Sequence, residues 1–402
     1  MEQRDKPGLL VLTTTFPRWA GDHEPPFVYE LSRRLGDDFD ITVLAPHAPG
    51  AQKDEIMDGI RVRRFRYAPD RLEKLAYDGG IPTRLRLYPW LALLLPSFLL
   101  AQIGAALQLV RERNPAVIHA HWLLPGGLIG AIARELLPGR HRLLITAHGA
   151  DVHLRDRWPV RALKRLAVES ADAVTVVSHA MKERVQPLVP EGTRVEVASM
   201  GVDLQTRFVP AAQRCEAERL AFVGRLVEKK GAADLLEALA LVRERHPGVQ
   251  LVLAGHGPLE KDLRALTARL GLEQAVEFRG SIPNHRLPEV FQRARIAVLP
   301  FRTAEDGDTE GLGLVAVEAM GCGIPVIVGD VPAIHDVVAH AETGWLVPAR
   351  DPAALAEAIM HLLEDPLLAD RLGTNGRHHA MRNFDWSVVA RRYRDILNAL
   401  SG

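Results

Sequence analysis

The run Asp308-Thr309-Glu310-Gly311-Leu312-Gly313-Leu314-Val315-Ala316-Val317-Glu318-Ala319-Met320-Gly321-Cys322-Gly323-Ile324-Pro325-Val326-Ile327-Val328 reads as a loop, a helix and a strand in succession. Gly311 and Gly313 let the backbone approach a ligand closely. The apolar segment from Leu314 to Met320 turns helical directly behind them, so the unpaired N–H groups of a helix start face whatever sits in the loop. Such a start is an anion site. Glu310 and Glu318 bracket it, and a carboxylate that accepts two hydrogen bonds from a vicinal diol is the usual way to hold a ribose or a hexose. The combination points to a sugar nucleotide. Read by itself, the same segment is equally a helix start with an exposed acid.

Two carboxylates also suit a glycosidase, and geometry separates the cases. On one continuous helix, eight residues would place Glu310 and Glu318 roughly 12 Å apart along the axis and about 80° apart around it. A retaining glycosidase needs about 5 Å. If Glu310 lies in the loop the distance is open, but a Gly-rich turn between the acids serves a phosphate better than a water-filled cleft.

Working outward, strand and helix alternate on both sides of this run. Short apolar strands are expected at residues 8–14, 41–45, 62–67, 117–121, 143–147, 174–178 and 195–198, mostly separated by helices. The pattern loosens into polar sequence around Asp203 to Arg219. It then restarts with strands at 220–223, 250–254, 276–279, 296–299 and 326–328, interleaved with helices such as 232–245 and 259–270. This alternation predicts an α/β chain of two Rossmann-like doubly wound domains facing each other across a cleft. The boundaries are 1–205 for an acceptor-side domain and 206–385 for a nucleotide-sugar-binding domain, with a C-terminal helix, 386–402, packing back on the first.

A chain of 402 residues suits two such domains, and 25% charged with 47% hydrophobic residues is ordinary globular material. Fifty basic residues balance fifty acidic ones, so no net field recruits nucleic acid. The two cysteines, Cys215 and Cys322, form neither a disulfide framework nor a metal-ligand spacing, which fits a reducing compartment. Met1 to Pro7 is charged and short, with no cleavage site following, so a cytoplasmic location is expected. His119 and His121 share one face of a strand, with His148 and His153 after the next. A metal site could be drawn from them, but no carboxylate or Cys spacing supports it, and no metal is expected.

Three further strand-end loops belong to the second domain. Gly224-Arg225-Leu226-Val227-Glu228-Lys229-Lys230-Gly231 offers cations able to hold a pyrophosphate. Gly255-His256-Gly257-Pro258 is a tight turn, and Arg279-Gly280-Ser281-Ile282 is a third loop. Taken in this order with Gly323-x-Pro325-Val326 and Thr343-Gly344-x-Leu346-Val347, these residues resemble the retaining nucleotide-sugar glycosyltransferases of family 4, which have the GT-B fold. The resemblance covers nearly the whole chain and is densest from Leu220 to Ile359.

That resemblance implies a role for each matching position. Arg225 and Lys230 bind the donor diphosphate and stabilise the leaving nucleotide, Glu318 takes the ribose hydroxyls, and Glu310 holds hydroxyls of the transferred sugar. Backbone N–H groups of Gly311, Leu312, Gly313 and Leu314 meet sugar and phosphate. The Arg279 to Ile282 loop meets the base, and Gly255 belongs to the donor site. His148, in Thr146-Ala147-His148-Gly149-Ala150-Asp151, matches a histidine near the anomeric centre, and Gly21 matches a first-loop glycine. The chain departs from the family at Gly21-Asp22, where a double glycine is commoner, and at Asp330 to His335, where a second glycine pair is frequent. The implied partners are a nucleotide diphosphate sugar as substrate and a glycan or lipid-linked acceptor, with no cofactor. The implied mechanism is same-face attack by the acceptor hydroxyl, with a donor phosphate oxygen taking its proton.

A sugar-nucleotide 2-epimerase or hydrolase on the same architecture is the alternative enzyme, and a catalytically silent sugar-nucleotide sensor is the alternative from another class. One more stretch stands out: Leu87 to Val110 carries no charged side chain and reaches membrane-spanning length. It is broken by Pro89 and Pro96 and lies between strands of one sheet, so its second half reads as a core helix. Tyr88, Trp90, Leu91, Leu93, Leu94, Leu95 and Phe98 lie beside Arg61, Arg63, Arg64, Arg66, Arg71, Lys74, Arg84 and Arg86. That pattern suits a peripheral contact with anionic lipid as well as a buried helix.

Overall fold

The computed structural model describes residues 6–19, 21–22, 24, 26–149, 151–152, 158–213 and 218–402. His153 and Cys215 lie outside them. By its contacts the chain divides into two units, Met1–Ser199 with Ala390–Gly402, and Met200–Val389.

The first unit holds an eight-stranded sheet. Its strands are β1 (Gly8–Leu12), β2 (Asp40–Pro46), β3 (Asp54–Met57), β4 (Ile60–Phe65), β5 (Val117–His121), β6 (Arg142–Ala147), β7 (Ala173–Val176) and β8 (Arg194–Val197). They run in the order β3-β4-β2-β1-β5-β6-β7-β8. All pairings are parallel except β3 on β4. Central strands β1 and β6 are Val/Ile/Leu-rich and β5 is Val-Ile-His-Ala-His, and all three are buried almost throughout, as parallel strands covered by helices require. The antiparallel edge was not expected. Its signal is the Asp58-Gly59 dipeptide, where both residues take positive φ (46° and 81°) and close a tight hairpin.

The second unit is built on six parallel strands: β9 (Arg219–Val223), β10 (Gln250–Ala254), β11 (Val276–Gly280), β12 (Ile296–Leu299), β13 (Val326–Gly329) and β14 (Trp345–Val347). Their order is β11-β10-β9-β12-β13-β14. Helices Ala232–Arg245 and Pro352–Glu364 pack Leu235, Leu239, Leu355 and Ile359 into its core.

The first unit ends at Ser199 rather than at 205, because the chain is claimed by the second unit as soon as it leaves β8. Val202 N donates to Phe384 O at 2.8 Å, and Trp386 N to Val202 O at 3.2 Å. The helix Trp386–Ser401 then carries the chain back, and its first-unit part starts at Ala390. Tyr393, fully buried, donates to Ala198 O at 2.9 Å, and Arg394 Nε lies 2.6 Å from Asp38 Oδ2.

The apolar stretch folds as a 3-10 segment, Pro89–Leu94, and a helix, Leu95–Arg113. Phe98, Gln102, Ala106, Leu109 and Val110 face inward, while Leu93 is 82% and Leu100 70% exposed. Residues 89–113 are long and apolar enough to cross a membrane. A crossing is incompatible with this fold, since β4 and β5 on either side of the segment lie in one sheet. The basic stretch beside it is thinner than the sequence suggests. Arg64 is completely buried, donating to Gln52 O and Pro17 O and pairing with Glu55. Arg61 pairs with Asp40, Arg63 with Asp54 and Glu112, and Arg66 with Asp70. Arg71 and Lys74 remain exposed.

Candidate active site

In the second sheet β9 has β10 on one side and β12 on the other, so chain order reverses between β9 and β12. At such a switch point the loops leaving the two carboxyl ends part and leave a crevice. The loop after β9 contains Arg225, Lys229 and Lys230, and the loop after β12 runs through Glu310 to Gly313, where the helix Leu314–Gly321 begins. The quoted run is therefore a loop, a helix and a strand, and Glu310 lies in the loop while Glu318 lies in the helix.

The two loops are joined by ion pairs. Lys230 Nζ lies 2.6 Å from Glu310 Oε2, and Lys229 Nζ lies 3.0 Å from both Asp308 Oδ1 and Thr309 O. The Lys230 ammonium also sits 4.7 Å from the centre of the Phe301 ring, a cation–π contact that fixes its direction. Gly231 makes this approach possible: it holds φ +68°, and a Cβ there would lie 1.9 Å from Pro300 O. Behind the pairs, Arg302 bridges Glu228 and Asp234 and braces the loop. Lys229 stood in the quoted loop without partners, and Phe301 and this brace had no sequence signal, because the contacting groups lie far along the chain and meet only once β9 and β12 are neighbours.

The two acids have been driven apart. Burial alone would raise the Glu310 carboxyl, but Lys230, Lys229 and Arg225 outweigh it and hold its pKa at about 2. Burial pushes Glu318 up to about 7, against weaker opposition from Lys230 and Arg207. Glu310 is thus a fixed anion, and Glu318 an acid that changes charge near neutrality. Gly313 caps the helix with φ +90° and no side chain caps it; Ala316 N turns back to Gly313 O at 2.8 Å, which leaves the N–H groups ahead of it for a ligand. The Leu312 side chain is buried, so only its backbone can serve such a ligand.

Two more loops are sewn to the first. Gly255 N donates to Gly280 O at 2.8 Å, Leu226 N to His256 O at 2.9 Å, and Ser281 Oγ lies 2.6 Å from His256 Nδ1. Arg279 was expected in the strand-end loop. It lies inside β11, where its guanidinium pairs with Glu277 at 2.8 Å, and Gly280, Ser281 and Ile282 follow it outward. The Asp330 to His335 segment is closed by a 2.8 Å contact from His335 Nε2 to Asp330 Oδ1.

In the first unit, His148 follows β6 and its Nε2 lies 2.9 Å from His121 Nδ1 at the end of β5. The buried Asp151 carboxylate accepts from Leu123 N, His148 N and Gly149 N and so ties the two strand ends together. Asp151 stands in the Thr146 to Asp151 motif with no local signal for this role. Gly21 has φ +79° and open space around it. Asp22, which stands where a second glycine is common, accepts from Arg18 N, Nε and Nη2 at 2.8 to 2.9 Å and so clamps its own loop. Among the described residues the three-residue group with metal-ligand proximity is His47, Asp70 and Glu73, within 4.8 Å of one another. Their atoms are already engaged with one another, with Ala51 O and with Arg66.

A doubly wound second unit with an uncapped helix start, lysines paired across its switch point and a buried acid within the helix, in one chain with a first unit of the same kind, defines a GT-B nucleotide-sugar glycosyltransferase. The chain belongs to glycosyltransferase family 4: residues 26–206 match the model described as Glycosyltransferase Family 4, and residues 210–379 match Glycosyl transferases group 1. It is 30% identical over 97% of its length to a GDP-mannose-dependent alpha-(1-6)-phosphatidylinositol monomannoside mannosyltransferase of Mycolicibacterium smegmatis, covering 98% of that protein. The Mycobacterium tuberculosis protein of the same name is 31% identical, with 97% of each chain covered. Among solved structures, sucrose-phosphate synthase from Thermosynechococcus elongatus matches 98% of this chain and 99% of its own with a TM-score of 0.80 at 24% identity. Anabaena HepE in complex with UDP and glucose gives a TM-score of 0.73 at 19% identity, covering 98% and 100%.

Proposed function

We propose that this protein is a retaining hexosyltransferase that moves a sugar from a nucleotide diphosphate sugar to a hydroxyl of a lipid-linked or cell-surface glycan precursor. The observation that carries this reading is the Lys230–Glu310 pair held beside the helix start at Leu314. When the bond from the anomeric carbon to the diphosphate oxygen breaks, negative charge grows on the leaving group, and Arg225, Lys230 and the helix N–H groups stabilise it where it grows. In this reading no metal is needed for departure. Glu310 then holds hydroxyls of the transferred sugar, Glu318 the ribose diol, the backbone at Gly255 and at Ser281–Ile282 the rest of the nucleotide, and His148 the sugar near its reacting carbon. The acceptor hydroxyl attacks the face the nucleotide leaves, and its proton passes to a donor phosphate oxygen.

The relatives aligned end to end with this chain are named as GDP-mannose-dependent, which makes GDP-mannose the first donor to try. A screen of GDP- and UDP-sugars against lipid-linked acceptors, read by mass spectrometry and by product anomeric configuration, tests the proposal. Donor turnover without acceptor would favour the hydrolase or epimerase reading, and binding without turnover the sensor. Loss of activity on chelation would remove the metal-free mechanism.

A cytoplasmic protein held peripherally on its membrane is the accompanying proposal. Leu87, Tyr88, Trp90, Leu93 and Leu100 are all more than 40% exposed, and exposed Arg71 and Lys74 lie on the preceding segment. Apolar and aromatic side chains near cations suit the headgroup boundary of an anionic leaflet.

A further inference from the structure

The imidazole pair His121–His148 lies at the ends of β5 and β6, inside the first unit. Its rings are stacked 5.1 Å apart with 19° between their planes, and His121 Nδ1 is 2.9 Å from His148 Nε2. Burial pushes His148 down to about 3 and His121 well below the ordinary histidine range, so both are neutral at neutral pH. Two neutral imidazoles that meet nitrogen to nitrogen share one proton in that contact. Whichever ring donates, the other nitrogen of His148 takes the complementary state, so one contact decides whether its Nδ1 donates or accepts.

The surroundings hold the pair in register. Phe27 and Trp122 pack on His148 with ring centres 4.9 and 5.0 Å away. Trp122 does so from φ +68°, a conformation costly for a side chain of its size, which the fold sustains with the bond from Trp122 N to Thr146 O at 2.8 Å. A Cβ on Gly126 would lie 2.3 Å from His121 O, so the segment behind His121 closes directly on its backbone. On the far side the His119 ring lies tilted by 38° against His121 with ring centres 4.3 Å apart, and it is anchored through Nε2 to Thr146 Oγ1 at 2.8 Å, which continues to Thr175 Oγ1 at 2.6 Å. Only the His148 end of this chain reaches a partly exposed position.

We propose that His121 is a positioning residue that locks His148 into a single tautomer, so that His148 presents one defined hydrogen-bonding state to the transferred sugar. The inference rests on the reading that His148 contacts that sugar, and its test separates the two. An asparagine at position 121 can place an amide near the site of Nδ1, whereas glutamine places it farther out and phenylalanine removes it. In the full chain labelled with ¹⁵N-histidine, His148 should show one tautomer in wild type and in His121→Asn, and a mixture in His121→Gln and His121→Phe. Turnover should fall on the order of tenfold or more in the latter two, with donor KM little changed, and recover in His121→Asn. A single unchanged tautomer in His121→Phe overturns the proposal, as does equal loss of turnover in all three variants. If His148→Ala turns over normally, the assignment of His148 to the sugar fails instead, while the tautomer measurement still decides whether His121 controls it.

Discussion

Lys230 and Glu310, eighty residues apart in sequence, form a 2.6 Å ion pair across the switch point of the second sheet. In the proposed reading the donor diphosphate is held beside this pair, whose ammonium is only 13% exposed and already oriented before any ligand arrives. Preorganisation of this kind acts on the charge that develops during reaction. Lys230→Ala is therefore expected to lower kcat on the order of a hundredfold with a smaller change in donor affinity. Steady-state kinetics checks this, and loss confined to the binding constant would reduce Lys230 to a donor holder.

In the proposed reading Glu318 sets stability against function. Its folded pKa of about 7 lies above the ordinary carboxyl value of 4.5, so the folded state binds the proton more tightly than the unfolded one. Stability contributed by this group is complete below about pH 4.5 and is lost as pH rises to about 7, by up to roughly 3 kcal/mol. Glu318→Gln should accordingly raise the melting temperature at pH 8, leave it nearly unchanged at pH 5, and weaken donor binding by about 2 kcal/mol through loss of the charged acceptor. Thermal unfolding at the two pH values with donor titration measures both, and a variant no more stable than wild type at pH 8 contradicts the raised pKa.

Gly231→Ala should destabilise the second unit by about 2 kcal/mol or more, because the new methyl would sit 1.9 Å from Pro300 O in a left-handed backbone conformation. The damage should extend to function, since separating the two loops separates Lys230 from Glu310. Urea unfolding and donor titration on the same preparation would show both losses. A variant of wild-type stability would mean that the loop after β9 can shift freely.

Trp90→Ser combined with Leu93→Ser removes two exposed apolar side chains, 48% and 82% accessible, without touching the core. Co-sedimentation with anionic vesicles at low salt should fall severalfold in this variant while thermal stability holds. Wild-type protein that stays in the supernatant would exclude the peripheral contact and favour a soluble acceptor.

The two-unit architecture and most of its strands could be read from apolar runs spaced by helices, because buried parallel strands announce themselves locally. What escaped was decided at a distance. The β3–β4 hairpin carried its own signal in Asp58-Gly59, which was overlooked beside the longer alternation. Arg64 looked like one cation among many, and only the register of β3 on β4 and the approach of Pro17 show why it is sealed inside. Likewise Lys229, whose partners Asp308 and Thr309 belong to another loop, and Asp151, whose bond to Leu123 N needs β5 beside β6, had no local pattern to reveal them. The acids Glu310 and Glu318 stand out in the sequence because both lie in one short run. Their opposite charge behaviour does not, since it depends on which cations the other loop delivers.

The return of Ala390–Gly402 to the first unit sets an order of events during synthesis. Tyr393 and Leu397 are completely buried there, and Tyr393 bonds to Ala198 at the end of the region made first. On the ribosome, Met200–Val389 emerges as one uninterrupted stretch, while the unit begun earlier gains its contacts with Ala390–Gly402 only after that stretch is out. The half of the enzyme translated first is thus the half completed last, and a stalled or truncated chain would lack those contacts.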